Sequence, residues 1–463
     1  VPAGGGGRSS SVLPLPMRPP GLHGRWLGLL RAILVLDAAA QSLPSAPGPA
    51  VLDPIVVTAS RTPQRLIDLV ADVTVIDAEA IAQSGAQGLI ALLQLQPGVE
   101  IVQNGGAGAT SGIFLRGANA AQTLVLIDGM RVASASSGAT ALEAIPLDQI
   151  ERIEILRGPA SSLYGADAIG GVIQVFTRRG SKGLHADASL GYGTFDTWSG
   201  SAGLSGGNAL ARGNVQIAGR RSEGFNAIVN PANFSYDPDR DGYRNASVSA
   251  HGALEIAADQ TMSLQYFRSR LDSQFDGGDS FDDRTVTTLT MWQAASSNRL
   301  TANWNSRLSF GDGGDRSVSK TGSGEFPFET HQRQYAWQSD LTLPKGALTI
   351  ALERREERVD SDTVFAVTSR DTNAATAIYR LEVGASAVQA NVRHDDSSQF
   401  GGKTTGALAW GYRLTPAWRV TASAGSAFKV PTFNDLFFPG FANPGLPPET
   451  SPISAAAVPW RSV

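Results

Sequence analysis

The C-terminal part of the chain alternates between apolar and polar side chains over long stretches. From Leu184 to Tyr192 apolar residues take every second position, and the positions between them hold polar residues such as His185 and Asp187. The alternation returns in stretches around residues 198–217, 248–256, 300–310, 335–352 and 408–414. A period of two residues predicts β-strands that have one apolar and one polar face.

Two features favour a transmembrane β-barrel over a soluble β-sandwich, which alternates in the same way. The strands are long, and their polar face carries neighbouring charges at Glu353, Arg355 and Glu357, as a water-filled lumen accepts. Long polar loops, such as residues 224–242 and 311–328, alternate with short turns, which is typical of outer-membrane barrels. The pattern predicts a mainly β protein with an antiparallel transmembrane barrel, and the sandwich stays as the alternative.

Residues 61–182 show a different pattern, in which short apolar strands, one helix and Gly-rich loops are mixed. Asp77 is a candidate N-cap for a helix over residues 80–95. Asp128-Gly129 is a hairpin signal. Strands are predicted near residues 73–76, 113–115, 123–127, 153–155 and 172–177. This part of the chain is therefore predicted to form a small α+β domain.

The amino-acid composition argues against several classes of function. With a net charge of -4 and 17% charged residues, the chain lacks the basic surface of a nucleic-acid-binding protein. It contains no cysteine, which excludes disulfides and cysteine-based metal or nucleophile sites. No motif in the sequence places a nucleophile, a base and an orienting acid at a recognisable spacing. We therefore do not expect an enzyme and expect no catalytic cofactor.

The N-terminal residues resemble a processing segment. Met17 and Arg18 precede a short apolar run at residues 27–36, and small residues follow at 38–40. This arrangement predicts that residues 1–52 are an export signal with a disordered N-terminus, and a disordered tail alone is the alternative.

Four motifs follow one another in the α+β region, at residues 114–117, 125–129, 151–159 and 163–173. In this order they resemble the plug domain of TonB-dependent outer-membrane receptors, with motif residues Arg116, Gly117, Asp128, Gly129, Arg157 and Gly158. The resemblance implies a plug at residues 61–182 inside a barrel at residues 183–463, in the lipid of a bacterial outer membrane. We expect the plug charges Arg116, Glu151, Glu154 and Arg157 to pair with the barrel wall.

Residues 53–60 precede the plug and resemble the TonB box, the segment that these receptors offer to the energy-transducing protein TonB. The residues concerned are Asp53, Pro54, Ile55, Val56, Val57, Thr58 and Ala59. An extended β-branched segment that is loose in the periplasm can add as a strand to the sheet edge of a partner. TonB is therefore the expected protein partner.

Cobalamin is the expected cargo, because residues 99–106 resemble the cobalamin receptors of this family in particular. The resemblance implies import across the outer membrane with cargo contacts at the plug apex, from Gln103, Asn104, Gly105, Gly106, Ser134 and Ser136. Haem receptors usually carry a histidine in an outer loop that corresponds here to residues 428–449, which contain none. A ferric-siderophore or haem receptor of the same family is the alternative.

Two acidic loops suggest a calcium site. Asp237, Asp239 and Asp241 alternate before Gly242, which is the first half of a calcium-loop pattern. The resemblance to cobalamin receptors adds a second loop and implies the ligands Asp237, Asp239, Asp241, Asp276 and Asp282. Calcium is expected to order these loops, and solvated acidic loop tips are the alternative.

The strand count departs from the family pattern. About 13 strands fit before residue 428, whereas family members close roughly 22. After Glu449 the residues are rich in Ala and Pro, so we expect no further strand there. The sequence indicates a monomeric receptor whose C-terminal strands are missing, with a non-transporting fragment as the alternative.

Overall fold

The computed structural model describes residues 54–278, 281–415 and 418–457. The predicted export segment at residues 1–52 and Asp53 lie outside the described residues. Within the described part of the chain, no helix is long and apolar enough to cross a membrane.

The plug region is built on a five-stranded sheet with the order β3-β8-β9-β6-β7. Only β6 and β9 run parallel to each other, and every residue of these two strands is buried because other elements cover both faces. Two further pairs, β1 with β2 and β4 with β5, complete the region. The strands are β1 Ile55–Val56, β2 Gln64–Arg65, β3 Asp72–Ile76, β4 Val99–Gln103, β5 Ser111–Leu115, β6 Thr123–Ile127, β7 Met130–Arg131, β8 Ile150–Arg157 and β9 Gly171–Thr177.

The helix predicted over residues 80–95 is two short helices, α1 Ala78–Gln83 and α2 Leu89–Gln94. Asp77 is the N-cap of α1, as predicted, and accepts a hydrogen bond of 2.8 Å from the backbone of Ala80. Gly85 then adopts φ 66°, which ends the helical path and explains the division. A third helix, α3 Ser161–Tyr164, follows β8.

Asp128 and Gly129 form the two-residue turn between β6 and β7, as predicted. Their φ angles of 49° and 90° suit the type I′ turn that joins twisted antiparallel strands.

The remaining strands form one antiparallel sheet of 14 strands, each paired with its neighbours in sequence. Strands β10 and β23 are its two edges. The strands are β10 Gly183–Gly193, β11 Thr197–Gly207, β12 Ala211–Phe225, β13 Asp241–Ala257, β14 Gln260–Gln274, β15 Arg284–Thr301, β16 Trp304–Thr321, β17 Gly324–Thr342, β18 Ala347–Ser361, β19 Ser369–Val383, β20 Ser386–Ser397, β21 Gly401–Arg413, β22 Arg419–Lys429 and β23 Glu449–Ala457. Helix α4 Phe433–Phe437 lies between the last two.

The two faces of this sheet confirm the predicted barrel wall. Apolar side chains point outward, where Leu190 is 93% exposed and Leu264 is 55% exposed. Polar side chains point toward the plug, where Gln216 and Ser249 are fully buried or nearly so. Lipid on one side and a polar interior on the other require this inverted pattern.

Two predictions about the sheet are wrong. Residues 311–328 are not a long loop, because they extend β16 and β17 into one hairpin with a short turn. The predicted stop after Glu449 is also wrong, since β23 pairs with β22 along its whole length. Pro452 is tolerated because β23 is an edge strand.

The plug charges do not pair with the wall as expected. Arg116 and Arg157 both form ion pairs with Asp72 of β3, inside the plug. Glu151 accepts the backbone N–H of Arg179. Among the described residues the plug is instead held by other polar contacts, such as the buried hydrogen bond of 3.0 Å from Gln149 to Ser247 of β13.

Candidate functional site

A cavity of about 340 Å³ lies between the first apex loop of the plug and the loops beside β13 and β14. Residues 104–110 form its plug side, and Asp241 and Asp276 belong to its outer wall. The predicted cargo contacts at Asn104, Gly105 and Gly106 therefore share one cavity with part of the predicted calcium site.

The first apex loop approaches the barrel wall very closely. A Cβ atom on Gly108 would lie 2.7 Å from the Tyr243 ring, and one on Gly106 would lie 3.2 Å from the Phe225 ring. Gly108 also has φ 99°, so glycine is required on both counts. Gln103 closes the loop from inside by donating to the carbonyl of Gly106 at 3.0 Å, and Asn104 stays exposed.

Glu143 is a wall residue of this cavity that sequence analysis did not select, because no motif includes it. Its carboxylate accepts a hydrogen bond of 2.6 Å from the Ser111 hydroxyl, at the end of the apex loop. Burial raises the pKa of Glu143 to about 7, although the bond from Ser111 lowers it.

Three of the five predicted calcium ligands come together. Asp239, Asp241 and Asp276 each offer a carboxylate oxygen, and these oxygens lie within 4.8 Å of one another. Asp237 and Asp282 are outside this group. Asp282 instead forms an ion pair with Arg284, two residues later, which explains why it turns away.

The ionised state of these neighbouring carboxylates is energetically unfavourable. Burial raises the pKa of Asp239, and the neighbouring carboxylates of Asp237 and Asp276 raise it further. Burial likewise raises the pKa of Asp276, whose Oδ2 accepts the backbone N–H of Ile228 at 2.9 Å. The Oδ1 atom of Asp276 is buried without a hydrogen-bond partner among the described residues. Converging carboxylate oxygens with unused lone pairs fit a hard cation such as calcium.

The second apex loop does not offer its predicted contacts in this state. Ser134 and Ser136 are buried and share a hydrogen bond of 2.6 Å. Helix α4 covers them, because its Phe433 and Asn434 amides donate to carbonyls of this loop at 3.2 and 3.1 Å. Phe433 is fully buried in an aromatic cluster above the loop.

The predicted TonB box is not loose, contrary to the expectation. Ile55 and Val56 pair with β2, and Val56 and Thr58 are fully buried. The backbone amides of Val57 and Thr58 both donate to one carboxylate oxygen of Glu154 at 2.9 Å. The Thr58 hydroxyl donates to the same oxygen at 2.7 Å. The segment is therefore docked on β8, and its role as a TonB box stays a prediction.

Arg61 ties the end of this segment to the barrel wall. Its guanidinium forms two hydrogen bonds of 2.8 and 3.0 Å with the carboxylate of Glu353 on β18. Arg393 and Asp395 of β20 extend this pair into a buried network. Sequence analysis placed Glu353 on the lumen side but missed its partner, because Arg61 and Glu353 are 292 residues apart.

Comparison with known proteins agrees with this architecture. Residues 65–172 match the model of the TonB-dependent Receptor Plug Domain, and residues 177–451 match the model of the TonB dependent receptor-like beta-barrel.

Two curated relatives illustrate the similarity in sequence. The Vitamin B12 transporter BtuB of Vibrio vulnificus is 31% identical over 420 residues, which cover 88% of this chain and 67% of the relative. The Vitamin B12 transporter BtuB of Vibrio cholerae serotype O1 is 32% identical over 416 residues, with 85% and 66% covered. The chain thus spans about two thirds of the length of these relatives.

Solved structures share the fold at low sequence identity. A variant of the ferric enterobactin receptor PfeA from Pseudomonas aeruginosa has a TM-score of 0.72 and 19% identity, with 84% of this chain and 69% of that chain covered. The siderophore receptor PirA from Acinetobacter baumannii has a TM-score of 0.69 and 18% identity, with 84% and 68% covered.

These matches confirm the predicted location in the outer membrane and the prediction that the protein is not an enzyme. Together with the plug and the inverted barrel wall, they show that the chain belongs to the family of TonB-dependent receptors.

Proposed function

We propose that this chain binds cobalamin at its outer cavity and serves its TonB-dependent import across the outer membrane. The relatives that are about one third identical are named as vitamin B12 transporters. The structural neighbours that are named as siderophore receptors are less than 25% identical, so they support the fold alone.

The charge of the outer cavity is the observation that carries the choice of cargo. Among the described residues that line it, the ionisable side chains are Glu143, Asp241 and Asp276, and none is basic. Ferric catecholate complexes are anionic, and the described lining of this cavity offers them no basic side chain. A divalent cation held by three ionised aspartates would still leave that group with a net charge of about -1. A corrinoid ring edge carries neutral amides, which donate hydrogen bonds to carboxylates without charge repulsion.

Calcium is proposed as a resident ion at Asp239, Asp241 and Asp276. A divalent cation there supplies positive charge that offsets the repulsion among these carboxylates. The loops that carry Asp239 and Asp276 lie on two sides of the cavity wall, so cation binding links them. A linked pair of loops reduces the ordering cost of cargo binding.

TonB is the proposed partner of residues 53–59. Strand addition requires free backbone N–H and C=O groups, and the amides of Val57 and Thr58 are occupied by Glu154. Engagement of TonB therefore requires release of this segment from β8.

The test is binding of radiolabelled cyanocobalamin to outer membranes that contain the chain, with calcium or with a calcium chelator. We expect saturable binding whose affinity falls at least about tenfold on chelation, which corresponds to a loss of about 1.4 kcal/mol of binding free energy. The Asp276→Asn variant should remove the calcium dependence. The matched Asp282→Asn variant should retain it, because Asp282 pairs with Arg284.

Binding of a ferric siderophore in place of cyanocobalamin would refute the proposed cargo. Cobalamin binding that ignores both calcium and Asp276→Asn would refute the calcium site and leave the cargo intact.

A further inference from the structure

A second and larger cavity, of about 830 Å³, lies between the plug and the inner face of the barrel wall. Ten Arg and Lys side chains and six Asp and Glu side chains line it. Four of these cations pair with carboxylates outside the lining: Arg131 with Asp167, Arg152 with Glu154, Arg354 with Glu356 and Arg355 with Glu357. The excess of cations in the lining is therefore largely offset, and the cations that matter for binding are those that keep an unneutralised charge.

Two plug arginines meet at one aromatic ring in this cavity. The Arg152 guanidinium lies over the Phe176 ring at 3.8 Å from its centroid, and that of Arg179 lies at 5.8 Å. All three side chains line the cavity. A guanidinium held against an aromatic ring keeps its N–H groups in a fixed plane, with the edge left free to bond an acceptor.

Arg307 of β16 faces the same cavity from the barrel wall and has no acidic partner in the part of the chain that the structure describes. Its guanidinium donates to the Ser297 hydroxyl at 3.1 Å and to the Gln293 carbonyl oxygen at 3.4 Å. No carboxylate among the described residues lies within ion-pair distance of it. Gln293 also accepts from Gln265 at 3.1 Å, so the side chain that orients Arg307 is itself fixed.

The neighbouring carboxylates neutralise only part of the charge of these three arginines. Asp128 lies 3.7 Å from Arg179, but its two oxygens accept the amide and the hydroxyl of Thr177. Glu154 bonds Arg152 with one oxygen and holds the N-terminal segment with the other. One positive charge, that of Arg307, is thus left over in a confined polar space.

We propose that Arg152, Arg179 and Arg307 form a lumenal binding site for a phosphate or phosphodiester group. Guanidinium groups match the oxygens of such anions through paired hydrogen bonds. The site deepens the proposed function, since cobalamin carries one phosphodiester and would meet this site after it leaves the outer cavity. Free inorganic phosphate has the same chemistry and is the other source of ligand.

Equilibrium dialysis of radiolabelled orthophosphate against the full chain in detergent, at low ionic strength, tests the site. We expect Arg307→Gln to weaken binding about tenfold or more, as loss of one charge-assisted contact predicts. Arg179→Gln should weaken it as well. The matched control is Arg316→Gln, on the same strand but outside the cavity and paired with Glu329 at 3.5 Å.

The proposal is overturned if the unaltered chain does not bind phosphate, or if Arg316→Gln weakens binding as much as Arg307→Gln. Because Arg307 lies in the barrel wall and Arg179 lies in the plug region, loss of binding in both variants with retained heat-resistant folding in gels excludes a local misfolding effect.

Uptake by energised cells separates the two sources of phosphate. Cobinamide lacks the phosphodiester of cobalamin, so Arg307→Gln should slow cyanocobalamin uptake several-fold and leave cobinamide uptake unchanged. Equal slowing of both corrinoids would refute the link to cargo. If the unaltered chain imports neither corrinoid, the proposed function fails, and the dialysis result still decides the anion site.

Discussion

Glu154 holds the N-terminal segment on the plug, and its replacement by Gln should release that segment. The side chain is fully buried, and its Oε2 accepts two amides and one hydroxyl from Val57 and Thr58. A hydrogen bond to a charged acceptor contributes about 1.5–3 kcal/mol, and a neutral one contributes about 0.5–1.5 kcal/mol. The change therefore costs about 1 kcal/mol for each of the three donors, or about 3 kcal/mol for docking of the segment.

Amide hydrogen exchange measures this loss directly. Docking weakened by about 3 kcal/mol raises the open population about 100-fold, so the amides of Val57 and Thr58 should exchange about 100-fold faster in Glu154→Gln. Glu151→Gln is the matched control on the same strand, because its carboxylate accepts the Arg179 backbone amide and no amide of residues 54–60. Unchanged protection of residues 57 and 58 in Glu154→Gln, or equal loss in both variants, would show that this carboxylate does not hold the segment.

Two other predictions concern the walls of the outer cavity. Gly108→Ala should lower stability by about 1–3 kcal/mol, because its Cβ would overlap the Tyr243 ring at φ 99°. Gly252→Ala, on strand β13, meets no atom within 4 Å and should not lower stability. Urea unfolding of the chain in lipid vesicles compares the two, and equal losses would refute the close-approach argument. The raised pKa of Glu143 means that the folded state holds its proton longer, so stability should fall by up to about 3 kcal/mol as pH rises from 4.5 to about 7. The Glu143→Gln variant should lack this decline, and a parallel pH profile for both proteins would contradict it.

The barrel wall was predictable because lipid and water impose opposite demands on alternate residues. The pattern around Leu184 and Leu190 needs only that local rule, and the structure agrees with it. Strand β23 was missed because its small residues give little contrast between faces, and because Pro452 reads as a breaker. The predicted helix is divided because Gly85 adopts a positive φ, which ends the first helix although the apolar residues continue at helical spacing.

Local spacing suggested only part of the candidate sites. The alternation pointed to Asp239 and Asp241, and the family resemblance added Asp276; the structure brings these three together, and the calcium site stays a prediction. Asp282 lies outside this group and pairs with Arg284. Contacts such as Arg61 with Glu353 join distant parts of the chain and leave no local pattern.

The distribution of charge gives a physical order to the proposed transport path. The outer cavity presents Glu143, Asp241 and Asp276, and the inner cavity presents Arg307, which has no acidic partner among the residues described. A cargo that is anionic overall is repelled at the first cavity, and a cargo without any anionic group gains nothing at the second. A molecule with a neutral, amide-rich rim and one internal phosphodiester suits both in turn. The net charge of -4 hides this arrangement, because it counts every ionisable side chain equally, whether or not that side chain is ion-paired.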